Sequence, residues 1–331
     1  MDVASRSIAH RGRRRPTLRT GLKAIAVAAL GSPFRISARL RKLAETDLVT
    51  ILNLHQVHPE PSAGRAALSV ELFDELLGFV SRHFDVRTFA TLDQPNRRPR
   101  LILSFDDGYR DFIEYAVPLL EKYKIAANQN VIPANIESGL PPLNVLARQF
   151  VAEAPASLAD RIEIIGIEGK LSEIPLQTLS NFLKWRSQAE QQTLGDILIP
   201  KILDWHAFKP IAMMSAEEIR QISNIHEIGG HSFDHASMAF ESDAFLQSDV
   251  ARCQAYFTEK LGQAMTIYAF PNGSCRLEQI ELVRDAGIDH VLLAGRGFDS
   301  GGPVHTRHNF DAASSREVRV EALGGRERIT R

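Results

Sequence analysis

Hydrophobic residues along this chain follow two alternating patterns: short unbroken apolar runs, and longer stretches with an apolar residue every three or four positions. The unbroken runs at 49–54 and 101–105 are typical of buried strands, and shorter runs predict strands at 128–132, 266–270 and 290–293. The stretches between the runs predict helices that bury one face. Strands that alternate with helices favour a parallel sheet. We therefore predict an α/β fold, a distorted (β/α) barrel of about seven strands.

Polar residues mark the start of several of these helices. Ser69 and Ser242 stand directly before helical stretches and are expected to cap them, and Ser215 with Glu218 forms a capping-box pattern. Pro118 falls inside the helix predicted after residue 108, so we expect it to kink that helix or to shift its start.

Residues 137–214 interrupt the alternation of strands and helices. This stretch begins with a turn region rich in Gly and Pro and continues with helical segments at 158–165 and 179–185. It is too long for a simple loop in a compact domain, so it predicts a helical insertion. The insertion either shapes substrate entry beside an active site or is a peripheral stabilising cap. The predicted organisation is a basic segment at 1–46, a main domain at 47–310 that contains the insertion, and a tail at 311–331.

Two adjacent carboxylates follow one of the predicted strands. Asp106 and Asp107 come directly after the run at 101–105, and Gly108 permits a sharp turn there. The ends of strands are where α/β enzymes keep their chemistry. One carboxylate of such a pair can bind a metal while the other stays available to take a proton.

A second motif supplies the further ligands that a metal would need. His231 and His235 are four residues apart, a spacing that would place both on one face of a helical turn. Together with Asp107 they form an Asp-His-His set, which is typical of a hydrolytic zinc site with an open position for water. Asp106 would then act as general base, with a second ligand or a turn-capping carboxylate as the alternative roles.

From about Val49 to Phe310 the chain resembles the NodB-homology polysaccharide deacetylases, carbohydrate esterase family four. The family's T-F-D-D-G motif stands here as 104–108 and its H-[ST]-x-x-H motif as 231–235. The stretch 268–274 is similar to its aromatic-x-x-P-[YN]-G loop, and 51–56 to the strand that opens one branch of the family. The resemblance implies a barrel enzyme that uses a divalent metal, with Zn²⁺ favoured, to remove acetyl groups from carbohydrate. It also implies the roles already given to Asp106, Asp107, His231 and His235.

The resemblance implies an oxyanion loop at 271–273. Backbone N–H groups in the stretch that begins at Pro271, those of Asn272 and Gly273, could donate to the developing oxyanion, since Gly273 lets the chain approach a ligand closely. We expect Asn272 to be the donor. An ordinary turn is the alternative.

The chain departs from the family at three places. The family's last motif carries a histidine that protonates the leaving amine; here His308 is our first candidate for this general acid, ahead of His305, and His55 is the alternative. Ala269 stands where many members have an arginine that tunes the catalytic Asp, so Arg307 or Arg110 would have to replace it.

Two asparagines form the third departure. Asn128 and Asn130 share one face of a predicted strand where the family has apolar residues. If that face points into the mouth of the barrel, we expect both to bind sugar hydroxyls.

The net charge of −1 conceals an uneven distribution. Residues 1–42 hold 11 of the 39 Lys and Arg residues and only one acid, which leaves 28 basic against 39 acidic residues in the remainder. Such a segment suits phosphate-bearing surfaces. We expect peripheral contact with an anionic membrane and no nucleic acid partner, with a solvated extension as the alternative.

The same segment has the order of a twin-arginine signal, basic at 13–16 and then apolar at 24–30. The apolar run is too short to span a bilayer and predicts a short amphipathic helix instead. Two cysteines, Cys253 and Cys275, are too few for a disulfide framework and favour a reducing compartment. We expect a cytoplasmic protein or one at the inner face of the membrane, with export as the alternative.

These features predict a metal-dependent hydrolase that removes acetyl groups from N-acetylated sugars of a polysaccharide or surface-glycan precursor. One alternative is an amidase that acts on a non-carbohydrate amide or imide. Another is a pseudoenzyme that binds glycan without turnover, a reading motivated by the missing arginine and the ill-defined final histidine.

Overall fold

The computed structural model describes residues 30–164, 166–327 and 329 of the 331-residue chain. Eight parallel strands form one sheet: β1 (Val49–Leu54), β2 (Asp85–Arg87), β3 (Arg100–Phe105), β4 (Asn128–Val131), β5 (Glu227–Gly230), β6 (Ile267–Ala269), β7 (His290–Gly295) and β8 (Val304–Asn309). Pairing of β1 with both β3 and β8 closes seven strands into a barrel, and β2 adds beside the first half of β3. The predicted α/β barrel is confirmed.

Twelve α-helices accompany the strands among the described residues. They are α1 (Pro33–Ala44), α2 (Val70–His83), α3 (Val117–Tyr123), α4 (Pro133–Ser138), α5 (Leu143–Glu153), α6 (Ala156–Ala159), α7 (Leu176–Lys184), α8 (Gln188–Leu203), α9 (Ala216–Ile222), α10 (Asp243–Tyr256), α11 (Leu277–Asp285) and α12 (Ser315–Ala322). Two π-helical turns, Phe112–Ala116 and Phe257–Leu261, adjoin α3 and α10.

The predicted helix starts are confirmed. The hydroxyl of Ser69 accepts a hydrogen bond from the backbone N–H of Leu72 at 3.3 Å, and Ser242 caps α10 in the same way. Ser215 forms a capping box with Glu218 at the start of α9. Pro118 lies in the first turn of α3, and the backbone is already helical at Ala116 and Val117, so the irregularity beside the proline is the π-helical turn at 112–116 and not a new helix start.

The strand register brings the predicted motifs to one edge of the barrel. Leu54 at the end of β1 pairs with Phe105 at the end of β3, and Val131 of β4 pairs with Gly230 of β5. Because the strands are parallel, the residues that follow each of them meet at the carboxyl-terminal mouth.

Helices α5 to α8 form a layer with an apolar core of its own. Leu146, Phe150, Leu183 and Leu198 belong to this second cluster, which is distinct from the main cluster of the barrel. The helix predicted at 158–165 is wrong for most of its length: only the short α6 forms, and the chain then turns, with Gly166 at a φ of 90°. The segment predicted at 179–185 lies within α7 apart from its last residue.

Residues on both sides of 47–310 pack against the barrel. Leu43 of α1 and Val318 of α12 are buried in the main cluster. Arg39 of α1 donates to the backbone carbonyls of Leu323 and Glu327 at 2.9 and 2.7 Å, which ties the first and last described helices together. None of the described helices is long and apolar enough to span a bilayer. The twin-arginine-like stretch and most of the apolar run after it lie outside the described residues.

Candidate active site

One cavity of about 370 Å³ opens at the carboxyl-terminal mouth of the barrel. The cavity is lined by residues at or shortly after the carboxyl ends of five of the strands, among them His55, Asp106, Asp107, His231, Asn272 and Asn309. Helices of the insertion form its opposite side. The cavity therefore gathers most of the chemistry that the sequence motifs predict.

The turn after β3 sends its two carboxylates in different directions. Asp107 and Gly108 both adopt left-handed backbone conformations, with φ angles of 77° and 81°. Such a conformation costs free energy for a residue other than Gly, and it is typical of functional turns. Asp106 points into the barrel and Asp107 faces the histidine loop, although both are almost fully buried.

Asp107, His231 and His235 bring three metal-ligating atoms together. Asp107 Oδ1 lies 3.5 Å from Nε2 of each histidine, and all three ligand atoms are within 4.8 Å of one another. Donors of a tetrahedral zinc site with bonds of about 2.0–2.1 Å would be roughly 3.4 Å apart. Asp107 Oδ1 is buried without a hydrogen-bond partner among the described residues. The donor set thus fits a divalent ion such as Zn²⁺.

The two histidines lie on a loop, so the expectation of a helical turn is wrong. Ser232 and His235 both have φ angles of 59°, which a helix does not allow. Asp249 of α10 holds the loop, because its carboxylate accepts hydrogen bonds from the Ser232 hydroxyl and the Phe233 N–H, each at 2.9 Å. The loop folds back on itself and still brings the two imidazoles side by side, with ring centroids 5.2 Å apart.

Hydrogen bonding and burial prepare both imidazoles as ligands. Nδ1 of His231 lies 2.8 Å from the carbonyl oxygen of Ala269, and since a carbonyl can only accept, Nδ1 carries a proton, which leaves Nε2 as the nitrogen of the neutral imidazole that can bind a metal. Burial lowers the pKa of His235 to about 4, although Asp107 opposes this shift, so this imidazole is neutral at pH 7. A neutral imidazole is the form that binds metal.

Arg307 is the charge partner of Asp106. Its two terminal nitrogens donate to the two carboxylate oxygens at 2.6 and 2.9 Å, a bidentate pair inside the barrel. Burial alone would raise the pKa of Asp106, but the charge and the hydrogen bonds of Arg307 outweigh burial and hold this pKa below its ordinary value. The other candidate, Arg110, pairs with Glu218 on the surface. The structure therefore decides between the two arginines that the sequence left open.

Asn128 and Asn130 point into the barrel but not into the cavity, so the expectation that they bind sugar is not supported. Asn130 donates to Asp106 Oδ1 at 2.8 Å, and Asn128 accepts from the Ser104 hydroxyl at 2.7 Å. Both are fully buried below the carboxylate. A Cβ on Gly229 would lie 2.3 Å from Asn130 Oδ1, so glycine there makes room for this network. The asparagines orient Asp106.

His308 does not line the cavity, which argues against its expected role as general acid. Side chains alternate along β8: Arg307 faces the barrel interior, and His308 faces outward, where its Nε2 lies 2.7 Å from Glu321 of α12. His305, the lesser candidate, shares the inward face of β8 with Arg307 but lies two residues nearer the amino-terminal end of the barrel, where it pairs with Asp299 and does not line the cavity. The alternative, His55, is the one of these three histidines that lines the cavity.

The loop after β6 presents one of its three predicted oxyanion residues to the cavity. Asn272 lines the cavity with a φ of 59°, whereas Pro271 and Gly273 do not line it. The backbone N–H of Gly273 donates within the turn to the carbonyl of Phe270. Asn272 therefore stays the candidate donor.

Sequence reasoning missed the residues that the insertion contributes. Asn144 and Arg148 of α5, and Gln177, Ser180 and Lys184 of α7, line the cavity together with Tyr109. Their spacing of three or four residues is a polar stripe along one face of each helix, and this signal was available in the sequence. The insertion thus forms one wall of the candidate site.

Residues 93–291 match the sequence model of a family described as polysaccharide deacetylase. This match covers more than half of the chain. A comparison with curated proteins finds no match in sequence.

Solved structures share the fold. The Streptococcus pyogenes deacetylase PplD in complex with acetate is 15% identical with a TM-score of 0.56, over 83% of this chain and 98% of that one. IcaB from Ammonifex degensii is 18% identical with a TM-score of 0.52, over 84% and 97%. A de-N-acetylase from Aggregatibacter actinomycetemcomitans is 12% identical with a TM-score of 0.52, over 83% and 99%. At these identities the likeness shows the fold alone.

Proposed function

This chain belongs to the polysaccharide deacetylase family, and we propose that it is a metal-dependent hydrolase that removes acetyl groups from an N-acetylated sugar of a polysaccharide or surface-glycan precursor. The observation that carries the proposal is the convergence of Asp107, His231 and His235 in one cavity with Asp106 beside them. Three ligand atoms leave an open position, which is the arrangement that hydrolysis requires.

Asp107, His231 and His235 would hold the ion. A bound divalent ion polarises the amide carbonyl and lowers the pKa of a water molecule from 15.7 towards about 7. The hydrogen bond from His231 to Ala269 and the burial of all three ligands keep their donor atoms oriented.

Asp106 is the proposed general base. Its carboxylate lies beside the ligand set, with Oδ2 3.9 Å from Nε2 of His231. Arg307 and Asn130 hold both of its oxygens in place, and the charge of Arg307 keeps it ionised and able to take a proton from the attacking water. The arginine replaces the residue missing at Ala269, which removes one of the two reasons for considering a pseudoenzyme.

Two further residues complete the proposed chemistry. Asn272, which lines the cavity, is placed to donate to the oxyanion that develops when water attacks. His55 lies at the exposed edge of the same cavity and is our candidate to protonate the leaving amine.

The test is acetate release from an N-acetylglucosamine oligomer together with elemental analysis of the protein. Metal with acetate release supports the proposal; metal without acetate favours an amidase with another substrate, and neither favours a glycan-binding pseudoenzyme. Asp106→Asn should keep the metal and lose activity by about 10²- to 10⁴-fold, the usual contribution of a positioned general base. Loss of metal in this variant would instead make Asp106 a ligand.

A further inference from the structure

Two cations of the insertion face the candidate catalytic residues. Arg148 of α5 and Lys184 at the end of α7 line the cavity that also contains Asp106 and the proposed ligands. Both side chains are half-buried. Two positively charged side chains therefore lie in the same small cavity.

Neither cation forms an ion pair with a carboxylate anywhere in residues 30–164 and 166–327. Arg148 Nε is buried without a hydrogen-bond partner there, and one terminal nitrogen makes a long contact of 3.4 Å to the carbonyl oxygen of Gly64. The Lys184 ammonium lies 5.1 Å from the ring centroid of Trp185. Other surface arginines of the chain, such as Arg186 and Arg220, do pair with acids. What sets the two cavity cations apart from unpaired cations on the surface is their partial burial in one shared cavity.

The electrostatic setting makes this arrangement costly without an anion. Burial lowers the pKa of Lys184, and the charge of Arg148 lowers it further, while Asp107 opposes both effects. Removing a cation from water is unfavourable unless an opposite charge or hydrogen bonds replace the lost hydration. The carboxylate of Asp106 is already neutralised by Arg307. Asp107 is the one other acid among the residues that line the cavity, so the two cations leave a local excess of positive charge there.

We propose that Arg148 and Lys184 bind an anionic group of the substrate, so that the preferred substrate is an acidic N-acetylated glycan. This inference rests on the proposed deacetylase function. A carboxylate or a phosphoryl group has the required chemistry, because guanidinium and ammonium groups bind both through charge-assisted hydrogen bonds. Asn144 and Ser180, linked by a 3.1 Å hydrogen bond on the same wall, offer uncharged partners for the sugar hydroxyls.

The experiment compares three disaccharides with the same N-acetylated backbone, one neutral and two with an acidic substituent. They are N,N′-diacetylchitobiose, its counterpart with N-acetylmuramic acid at the reducing end, and its 6-phosphate. The metal-loaded full-length protein should deacetylate one acidic disaccharide with a kcat/KM at least about tenfold above the neutral one, since charge-assisted bonds contribute on that order. Which of the two acidic disaccharides is preferred shows whether the site binds a carboxylate or a phosphoryl group.

Substitutions then assign the preference to the two cations. Arg148→Gln and Lys184→Gln should each reduce kcat/KM for the preferred acidic disaccharide by about 10- to 100-fold and change it for the neutral one by less than about threefold. Arg148→Lys should restore part of the preference. Lys201→Gln, an exposed cation of α8 on the same insertion, is the matched control and should change neither value.

Several outcomes would overturn the inference. One is an equal kcat/KM for the neutral and the acidic disaccharides in the unsubstituted protein. Another is a loss of kcat/KM in the Gln variants that is the same for all three disaccharides. If none of the disaccharides releases acetate, the proposed function fails, and calorimetric binding of the same three ligands becomes the readout. Binding that favours an acidic disaccharide and weakens in the Gln variants would still support the anion site; binding without a charge preference would reject it.

Discussion

At the scale of single residues, the proposed base depends on a cation from the last strand of the barrel. Arg307→Met removes the bidentate partner of Asp106 and leaves a buried carboxylate with Asn130 as its remaining side-chain donor. Breaking a buried pair from one side costs about 3–5 kcal/mol. We expect a loss of unfolding free energy of that size, measured by urea denaturation.

Arg110→Met is the matched control for this substitution. Arg110 pairs with Glu218 on the surface, with the arginine side chain 49% exposed, so its loss should cost at most about 1 kcal/mol. Equal losses of unfolding free energy in the two variants would show that the buried pair contributes no more to stability than the surface pair.

The histidines of the site allow a second residue-scale prediction. His231→Ala and His235→Ala should each lose most of the bound metal, because two remaining ligands are too few for a tight site. Elemental analysis after dialysis measures this. His308→Ala is the control: this histidine faces Glu321 outside the cavity, so the variant should retain full occupancy. Full occupancy in both of the first two variants would refute the ligand assignment.

At the scale of elements, helix α10 positions the histidine loop through one carboxylate. Asp249 accepts hydrogen bonds from Ser232, from the Phe233 N–H and from the Tyr268 hydroxyl at 2.9 to 3.0 Å. Burial nevertheless raises its pKa to about 6. A raised pKa in the folded state contributes stability that is complete below the unfolded pKa of about 3.9 and is lost as pH rises through about 6.

Asp249→Asn tests this linkage, because the amide cannot ionise. Between about pH 4 and pH 6 the unsubstituted protein should lose stability relative to the variant, by up to about 3 kcal/mol, and the difference should level off above pH 7. Urea denaturation of both proteins across this range measures it. Asp243→Asn, at an exposed position of the same helix, should show no such trend. Parallel stability curves for Asp249→Asn and the unsubstituted protein would contradict the prediction.

At the scale of the whole molecule, the basic amino-terminal region divides at helix α1. Seven of its 11 basic residues precede residue 30, whereas Leu43 of α1 is buried in the main core and Arg39 holds the carboxyl-terminal residues. Deleting 1–29 should leave acetate release and the melting temperature nearly unchanged. It should weaken attachment to anionic vesicles, since each basic residue contributes about 1 kcal/mol near such a surface.

Deleting 1–44 should in addition lower the melting temperature, because it removes Leu43 from the core. Co-sedimentation with phosphatidylserine vesicles at low and high salt, together with thermal melts, checks both deletions. Vesicle binding that survives the loss of 1–29 would rule out the proposed membrane contact.

The sequence by itself determined the features that depend on neighbouring residues. Apolar runs predicted the barrel strands β1 and β3, capping residues predicted helix starts, and the carboxylates at 106 and 107 stand at a strand end. Parallel strands bring their carboxyl ends to one mouth whatever the details of packing, so the proximity of the proposed metal ligands followed from motif order.

The tertiary structure alone decided the features that depend on register and on distant packing. Strand β8 carries a polar sequence without an apolar pattern, so neither its existence nor the direction of its side chains could be read in advance. Its register turns Arg307 inward to Asp106 and His308 outward to Glu321, because successive side chains of a strand face opposite sides. The same alternation of side chains places the two asparagines of β4 inside the barrel, buried below the site. Only the folded chain brings the cations of a helical layer, nearly 40 residues apart, to one wall of the cavity.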